Sequence, residues 1–164
     1  MRNTQHIQHK IQPLEQAIRT VSQWRVLNKK IAFTNGCFDI LHRGHIFSLG
    51  QAAHEAEFLI VGVNSDASTK RLKGPERPIN DEQSRALVLA SLVMVDLVVI
   101  FEEDTPLNLI TSLKPDVLVK GGDYTIDQIV GAKEVMENGG KVIINPIVEG
   151  FSTTGIIGKI QHKS

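Results

Sequence analysis

Asn35-Gly36-Cys37-Phe38-Asp39-Ile40-Leu41-His42-Arg43-Gly44-His45 joins an apolar run, Ile31-Ala32-Phe33, to a segment with helical character, Ile46-Phe47-Ser48-Leu49-Gly50-Gln51-Ala52-Ala53. The apolar run reads as a short buried strand. His42 and His45 therefore fall at a strand-to-helix junction, three residues apart on one face of the first helical turn. A helix N-terminus presents unpaired N–H groups and partial positive charge, so it suits phosphate. Gly44 between the histidines admits a phosphate to the backbone with no Cβ in the way. Two histidines at this spacing could also be half of a metal site. Zinc would need third and fourth ligands, and His6, His9, His54 and His162 form no cluster that supplies them.

Outward from this junction, β and α signals alternate. Strands are expected at Lys30–Thr34, Phe58–Asn64, Leu97–Phe101, Val117–Lys120 and Lys141–Asn145, short Val/Ile-rich runs that are apolar on both faces. Helical segments fill the gaps. Asp81 reads as an N-cap, Thr105-Pro106 as N-cap and first helical residue, and Lys114-Pro115 and Gly139-Gly140 as stops. Such alternation implies α/β architecture: a single-domain, Rossmann-like, doubly wound parallel sheet of about five strands. Ligands in such sheets bind beyond the carboxyl ends of the strands, where strand order reverses. The domain is expected over 30–164. Residues 1–29 form an N-terminal helical extension, with Leu14, Ala17, Ile18, Val21 and Trp24 on one face of a helix from Pro13 to Leu27. That face would pack on the sheet or on a second copy in a homodimer.

The 164 residues suffice for one core. Eighteen basic and 18 acidic residues cancel, so no net field draws nucleic acid or an anionic membrane. Cys37 is the single cysteine, which excludes an internal disulfide and fits a reducing cytoplasm; beside Phe38 it reads as a small packed residue. The N-terminus lacks the apolar core of a secretory signal. The apolar stretch Ala86–Phe101 is too short to span a membrane and is interrupted by Asp96; it reads as a buried helix ending near Val95, then a strand.

Three more segments carry chemistry. Arg71-Leu72-Lys73-Gly74-Pro75-Glu76-Arg77-Pro78-Ile79 reads as a loop after the second strand, with three cations in seven residues on the rim that holds His42 and His45. Lys73 offers a mobile point charge and Arg77 a planar fork for phosphate, and Arg85, just inside the next helix, could reach the same anion. Lys120-Gly121-Gly122-Asp123-Tyr124 ends the fourth strand. Its glycines permit close approach of a flat base or make a tight turn, and Asp123 could accept a ribose hydroxyl or order the loop. Ser152, Thr153 and Thr154 open the last helix, either as capping residues or as a phosphate cradle.

These segments resemble the H-x-G-H nucleotidyltransferase superfamily, and within it the adenylyltransferases acting on D-glycero-D-manno-heptose 1-phosphate. The likeness runs from Ile31 to Ile160, on N-G-C-F-D-I-L-H-R-G-H, N-S-D-A-S, L-K-G-P-E-R-P-I-N, F-E-E-D-T-P, K-P-D-V-L-V-K-G-G-D-Y and G-F-S-T-T-G-I-I. It implies transfer of AMP from ATP to a sugar 1-phosphate, with release of pyrophosphate. It assigns His42 and His45 to the α- and β-phosphates, with Lys73 as a third catalytic group. It gives Arg77 and Arg85 to substrate phosphate, and Asn35, Gly36, Cys37, Phe38, Asp39, Gly44, Lys120, Gly121, Asp123, Ser152, Thr153 and Thr154 to the nucleotide. Mg²⁺ would bridge the phosphates, with Asp39 as a contributor. In that family the module is often fused to a sugar kinase, so a separate kinase is expected to supply the substrate here.

Three rivals remain. A Rossmann dehydrogenase would need G-x-G-x-x-G after the first strand, which Asn35–His45 lacks. Glycerol-phosphate and choline-phosphate cytidylyltransferases carry R-Y-V-D where this chain reads Val93-Met94-Val95-Asp96, and the missing arginine counts against them. A silent nucleotide-binding module would use the same loops, and pyrophosphate release would separate it from an enzyme.

Overall fold

The structure, a computed structural model, describes residues 4–146 and 150–161. Five strands, β1 (Ile31–Gly36), β2 (Phe58–Asn64), β3 (Leu97–Phe101), β4 (Val117–Gly121) and β5 (Lys141–Asn145), form one parallel sheet in the order β3-β2-β1-β4-β5. Each parallel step needs a crossover, and helices supply them on both faces. On one face α3 (Arg43–His54) and α5 (Glu82–Ala90) cover Ala32, Val61, Val63 and Val119. On the other, α2 (Leu14–Val26), α6 (Leu107–Leu113) and α7 (Ala132–Glu137) cover Phe33, Ile60, Val99 and Leu118. Strands buried on both sides explain the unbroken apolar runs in the sequence. The chain reverses direction across the sheet between β1 and β4, so the crevice above their carboxyl ends is the fold's ligand position.

β1 and β4 run one or two residues further than expected, to Gly36 and Gly121, carrying their ends to the rim. Asp81 caps α5 as expected, accepting the Ser84 N–H at 2.9 Å. Lys114 in the left-handed region (φ 48°) ends α6. Three expectations shift. The cap of α6 is Pro106, one residue later than predicted. The helix expected to reach Val95 ends at Ala90; Leu92 to Met94 turn instead, and Val93 is 91% exposed. Residues 71–73 are the last turn of α4 (Asp66–Lys73) rather than loop.

The N-terminal segment folds onto the sheet. After α1 (Gln5–His9), residues 10–12 run parallel to β3: the Val98 N–H donates to the Lys10 carbonyl (2.8 Å) and the Gln12 N–H to the Val98 carbonyl (3.0 Å). Lys10 Nζ donates to the Val95 carbonyl at 2.6 Å. In α2, Ala17 and Val21 are buried, and Trp24 stacks on Phe58 with centroids 4.1 Å apart. Ile18, predicted on the buried face, is 37% exposed. Among the described residues no helix is long and apolar enough to cross a membrane.

Candidate active site

A cavity of about 660 Å³ opens at the carboxyl ends of the strands, and a smaller one of about 280 Å³ adjoins it. Both are walled by Asn35, Gly36, Cys37, Phe38, His42, His45 and Lys120. The larger adds Asp39, Lys73, Arg77 and Ser152 to Thr154, and the smaller adds Gly44 and Gly121. One crevice thus collects residues from four segments that are far apart in sequence.

His42 is the N-cap of α3, with extended backbone, and its carbonyl accepts the His45 N–H at 2.9 Å. The turn stacks the two imidazoles, centroids 3.8 Å apart and planes 24° from parallel, while Phe38 meets His45 edge-on. A Cβ on Gly44 would lie 3.1 Å from the His42 ring, so glycine keeps that ring against the helix. Both Nδ1 atoms are buried without a hydrogen-bond partner among the described residues. Burial lowers the pKa of both rings, and His45, next to a second imidazole that would repel its charge, is pushed down to about 4. At neutral pH both are neutral, with one N–H donor apiece. Across the cavity Lys120 reaches the Asn35 side-chain oxygen (3.3 Å). Burial holds its ammonium below the ordinary value; Cys37 opposes the fall and the Lys73 charge adds to it. The two imidazoles and the two lysines line one cavity, and their chemistry suits an anion.

Two assignments are corrected. Arg85, expected on substrate phosphate, is 2% exposed and lines neither cavity. It donates to the carbonyls of Asn80 (3.0 Å), Cys37 (2.5 Å) and Asn64 (2.8 Å), and to the Asp66 carboxylate (2.7 Å), which leaves its fork no room for a ligand. It ties the ends of β1 and β2 to the start of α5. Asp39, expected to contribute to a metal site, is 3% exposed and accepts from Arg77 Nε (2.5 Å) and the N–H groups of Ile79 (2.8 Å) and Asn80 (3.0 Å). Three of a carboxylate's roughly four acceptor positions are filled, so Asp39 braces the loop. Burial alone would raise its pKa; those donors outweigh it and lower it. No group of three His, Cys, Asp or Glu side chains among the described residues forms a metal cage.

Arg77 lines the cavity while bound to Asp39, whereas Arg71 turns away to Asp104. Asp123 is exposed and lines neither cavity. Ser152 caps the last helix, α8 (Thr153–Gln161), by accepting the Gly155 N–H at 3.0 Å, while still lining the cavity. Sequence reasoning missed Asn64, the Asp104-Thr105-Pro106 turn, Tyr124, Gln128 and Phe151, all of which line the larger cavity. Asn64 and Thr105 follow strands β2 and β3, and that position was the available signal.

A parallel sheet with a phosphate-suited histidine pair at its switch point defines a nucleotidyltransferase-type domain. The chain belongs to the cytidylyltransferase-like family, whose model matches residues 33–159. It is 58% identical over 152 residues to the bifunctional protein HldE of Paramagnetospirillum magneticum, covering 93% of this chain and 31% of that one. It is 56% identical over 148 residues to HldE of Mesorhizobium japonicum, covering 90% and 30%. The chain thus spans about a third of the length of these relatives. A lipopolysaccharide core biosynthesis protein from Thermoplasma volcanium superposes with TM-score 0.58 at 30% identity, over 73% of this chain and 97% of that one. The pantoate-beta-alanine ligase of Francisella tularensis, at 18% identity and TM-score 0.61 over 93% and 76%, shares the fold.

Proposed function

We propose that the chain transfers AMP from ATP to heptose 1-phosphate, giving ADP-heptose and pyrophosphate. The observation that carries the chemistry is the stacked His42–His45 pair, with unpartnered Nδ1 atoms in a cavity also lined by Lys73 and Lys120. An oxygen of the sugar phosphate, already ionised near neutral pH, attacks the α-phosphorus in line; the bond to the β-phosphate oxygen breaks and pyrophosphate leaves with that electron pair. No general base is needed, so catalysis is positioning and stabilisation of phosphoryl charge. His42 and His45 donate to the α- and β-phosphates, Lys73 and Arg77 hold phosphate at the other wall, and Ser152, Thr153 and Thr154 take the distal phosphates. The smaller cavity, lined by Gly44 and Gly121, takes the nucleoside. Mg²⁺ would neutralise phosphate charge, held mainly by the phosphates of the nucleotide, as this ion needs few protein ligands.

The choice of substrate is supported by the HldE relatives. The argument from the missing arginine loses weight, because Val93 lies in the turn before β3, at the opposite end of the strands from the cavity. In the same reading a sugar kinase supplies the heptose 1-phosphate, the reaction is cytoplasmic, and two copies pair as a homodimer.

Pyrophosphate release across a panel of nucleotides and acceptors tests the proposal. ATP with heptose 1-phosphate is expected to react, with CTP at least tenfold poorer in kcat/KM, about 1.4 kcal/mol. Robust turnover of CTP with glycerol 3-phosphate, with ATP inert, would overturn the substrate assignment. Silence with every pair would favour a binding module.

A further inference from the structure

The last three residues of the F-E-E-D-T-P stretch, Phe101 to Pro106, line the larger cavity. The turn is fixed from outside. Arg71 Nε donates to Asp104 Oδ1 at 2.8 Å and its Nη2 to the Glu102 carbonyl at 2.6 Å. Ser68 Oγ, in the same helix α4, donates to the Glu103 carbonyl at 3.0 Å. Arg71 therefore braces this turn, while Lys73, two residues on, lines the cavity.

Asp104 keeps Oδ2 with no bond among the described residues, and the Arg71 contact holds its pKa below the ordinary value, so it remains an acceptor. The Thr105 hydroxyl likewise has no partner among the described residues. Gln128 Oε1 accepts the Thr125 N–H at 2.9 Å, which leaves its amide N–H groups to donate. Acceptor, hydroxyl and amide donor thus line one cavity with the cations Lys73 and Arg77. Cations suit a phosphate, and a carboxylate with neutral polar groups suits hydroxyls.

We propose that Asp104, Thr105 and Gln128 form the hydroxyl-reading end of the acceptor site, determining specificity for a polyhydroxylated phosphate ester over a simple one. This rests on the sugar-phosphate reading above. Arg71 is then a positioning residue for Asp104.

The test compares heptose 1-phosphate with ethyl phosphate, which has the phosphate and no hydroxyl, in the wild type and in Asp104→Asn, Thr105→Val and Gln128→Met, with folding checked by thermal melting. Asp104 is exposed, so these variants should fold; Arg71→Lys provides a milder perturbation. The expected result is a rise of at least tenfold in KM for heptose 1-phosphate in Asp104→Asn and a smaller rise in Arg71→Lys. KM for ATP should move less than twofold, and the preference for the sugar over ethyl phosphate should fall at least tenfold. An unchanged sugar KM in all three variants, or equal losses with sugar, ethyl phosphate and ATP, would overturn the assignment while leaving the transferase reading intact. A wild type that turns over nucleotide but ignores every sugar 1-phosphate would remove the reading and this inference together.

Discussion

The imidazoles of His42 and His45 lie face to face, 3.8 Å between centroids, and neither Nδ1 has a partner among the described residues. Desolvation disfavours charge on both half-buried rings, which leaves neutral imidazoles able to donate to an oxyanion. If both groups act on charge that develops during transfer, His42→Ala and His45→Ala should each lower kcat by about 10²–10³-fold, with a much smaller change in KM for ATP. Steady-state kinetics decide this, and near-normal kcat in His45→Ala would remove the pair from the mechanism.

The same burial makes a prediction about pH. The pKa of His45 is about 4 in the fold, against about 6.5 in an unfolded chain. Between those values the unfolded chain binds more protons, so stability rises with pH across that window and is lost as pH falls from about 6.5 toward 4. A denaturation series should show this slope, and His45→Phe should flatten it. Bound ATP should raise the His45 pKa, as read by its ring Cε1–H chemical shift, because phosphate favours the charged ring.

Arg85 and Lys73 should separate stability from activity. Arg85→Met leaves the carbonyls of Cys37, Asn64 and Asn80 without their buried donor and should cost about 3 kcal/mol in urea denaturation. Lys73→Ala removes an exposed cavity cation with no fixed partner among the described residues, and should lower turnover with stability changed by less than about 0.5 kcal/mol.

Arg77 differs from an ordinary loop cation. Its partner Asp39 has a side chain 1% exposed, so Arg77→Ala leaves a buried carboxylate with only its two backbone donors and should destabilise by about 1.5–3 kcal/mol. Because the folded pKa of Asp39 is lowered, its contribution is present above the ordinary carboxylate value and lost as pH falls through the lowered one. Comparing melting temperatures of Arg77→Ala at neutral and acid pH checks both points; the deficit should shrink in acid.

The sheet was legible because burial on both faces leaves an unmistakable mark: Leu59 to Val63 and Leu97 to Ile100 are apolar without alternation. The histidine junction was legible because one continuous string held strand, turn and helix start. What sequence could not convey is which way a polar side chain turns. Arg85 read as a phosphate ligand, since a guanidinium braced by carbonyls and a carboxylate looks the same in one dimension as one facing solvent. Asp39 misled for the converse reason: the backbone donors of Ile79 and Asn80 that fill it lie 40 and 41 residues away. Thr105 and Gln128 carry no periodic signal and become part of the site only through β3 and the turn before Ile129.

The strap formed by residues 10–12 also bears on the order of events during folding. Its pairing with β3 joins Lys10, Ile11 and Gln12 to Val98, so the loop it closes is long and slow to close. Until it closes, the outer edge of β3 presents free N–H and C=O groups to any neighbouring chain. Refolding yield should therefore fall with protein concentration, and deleting residues 1–12 should make that intermediate vulnerability permanent, visible as light scattering from a protein whose central strands are already native.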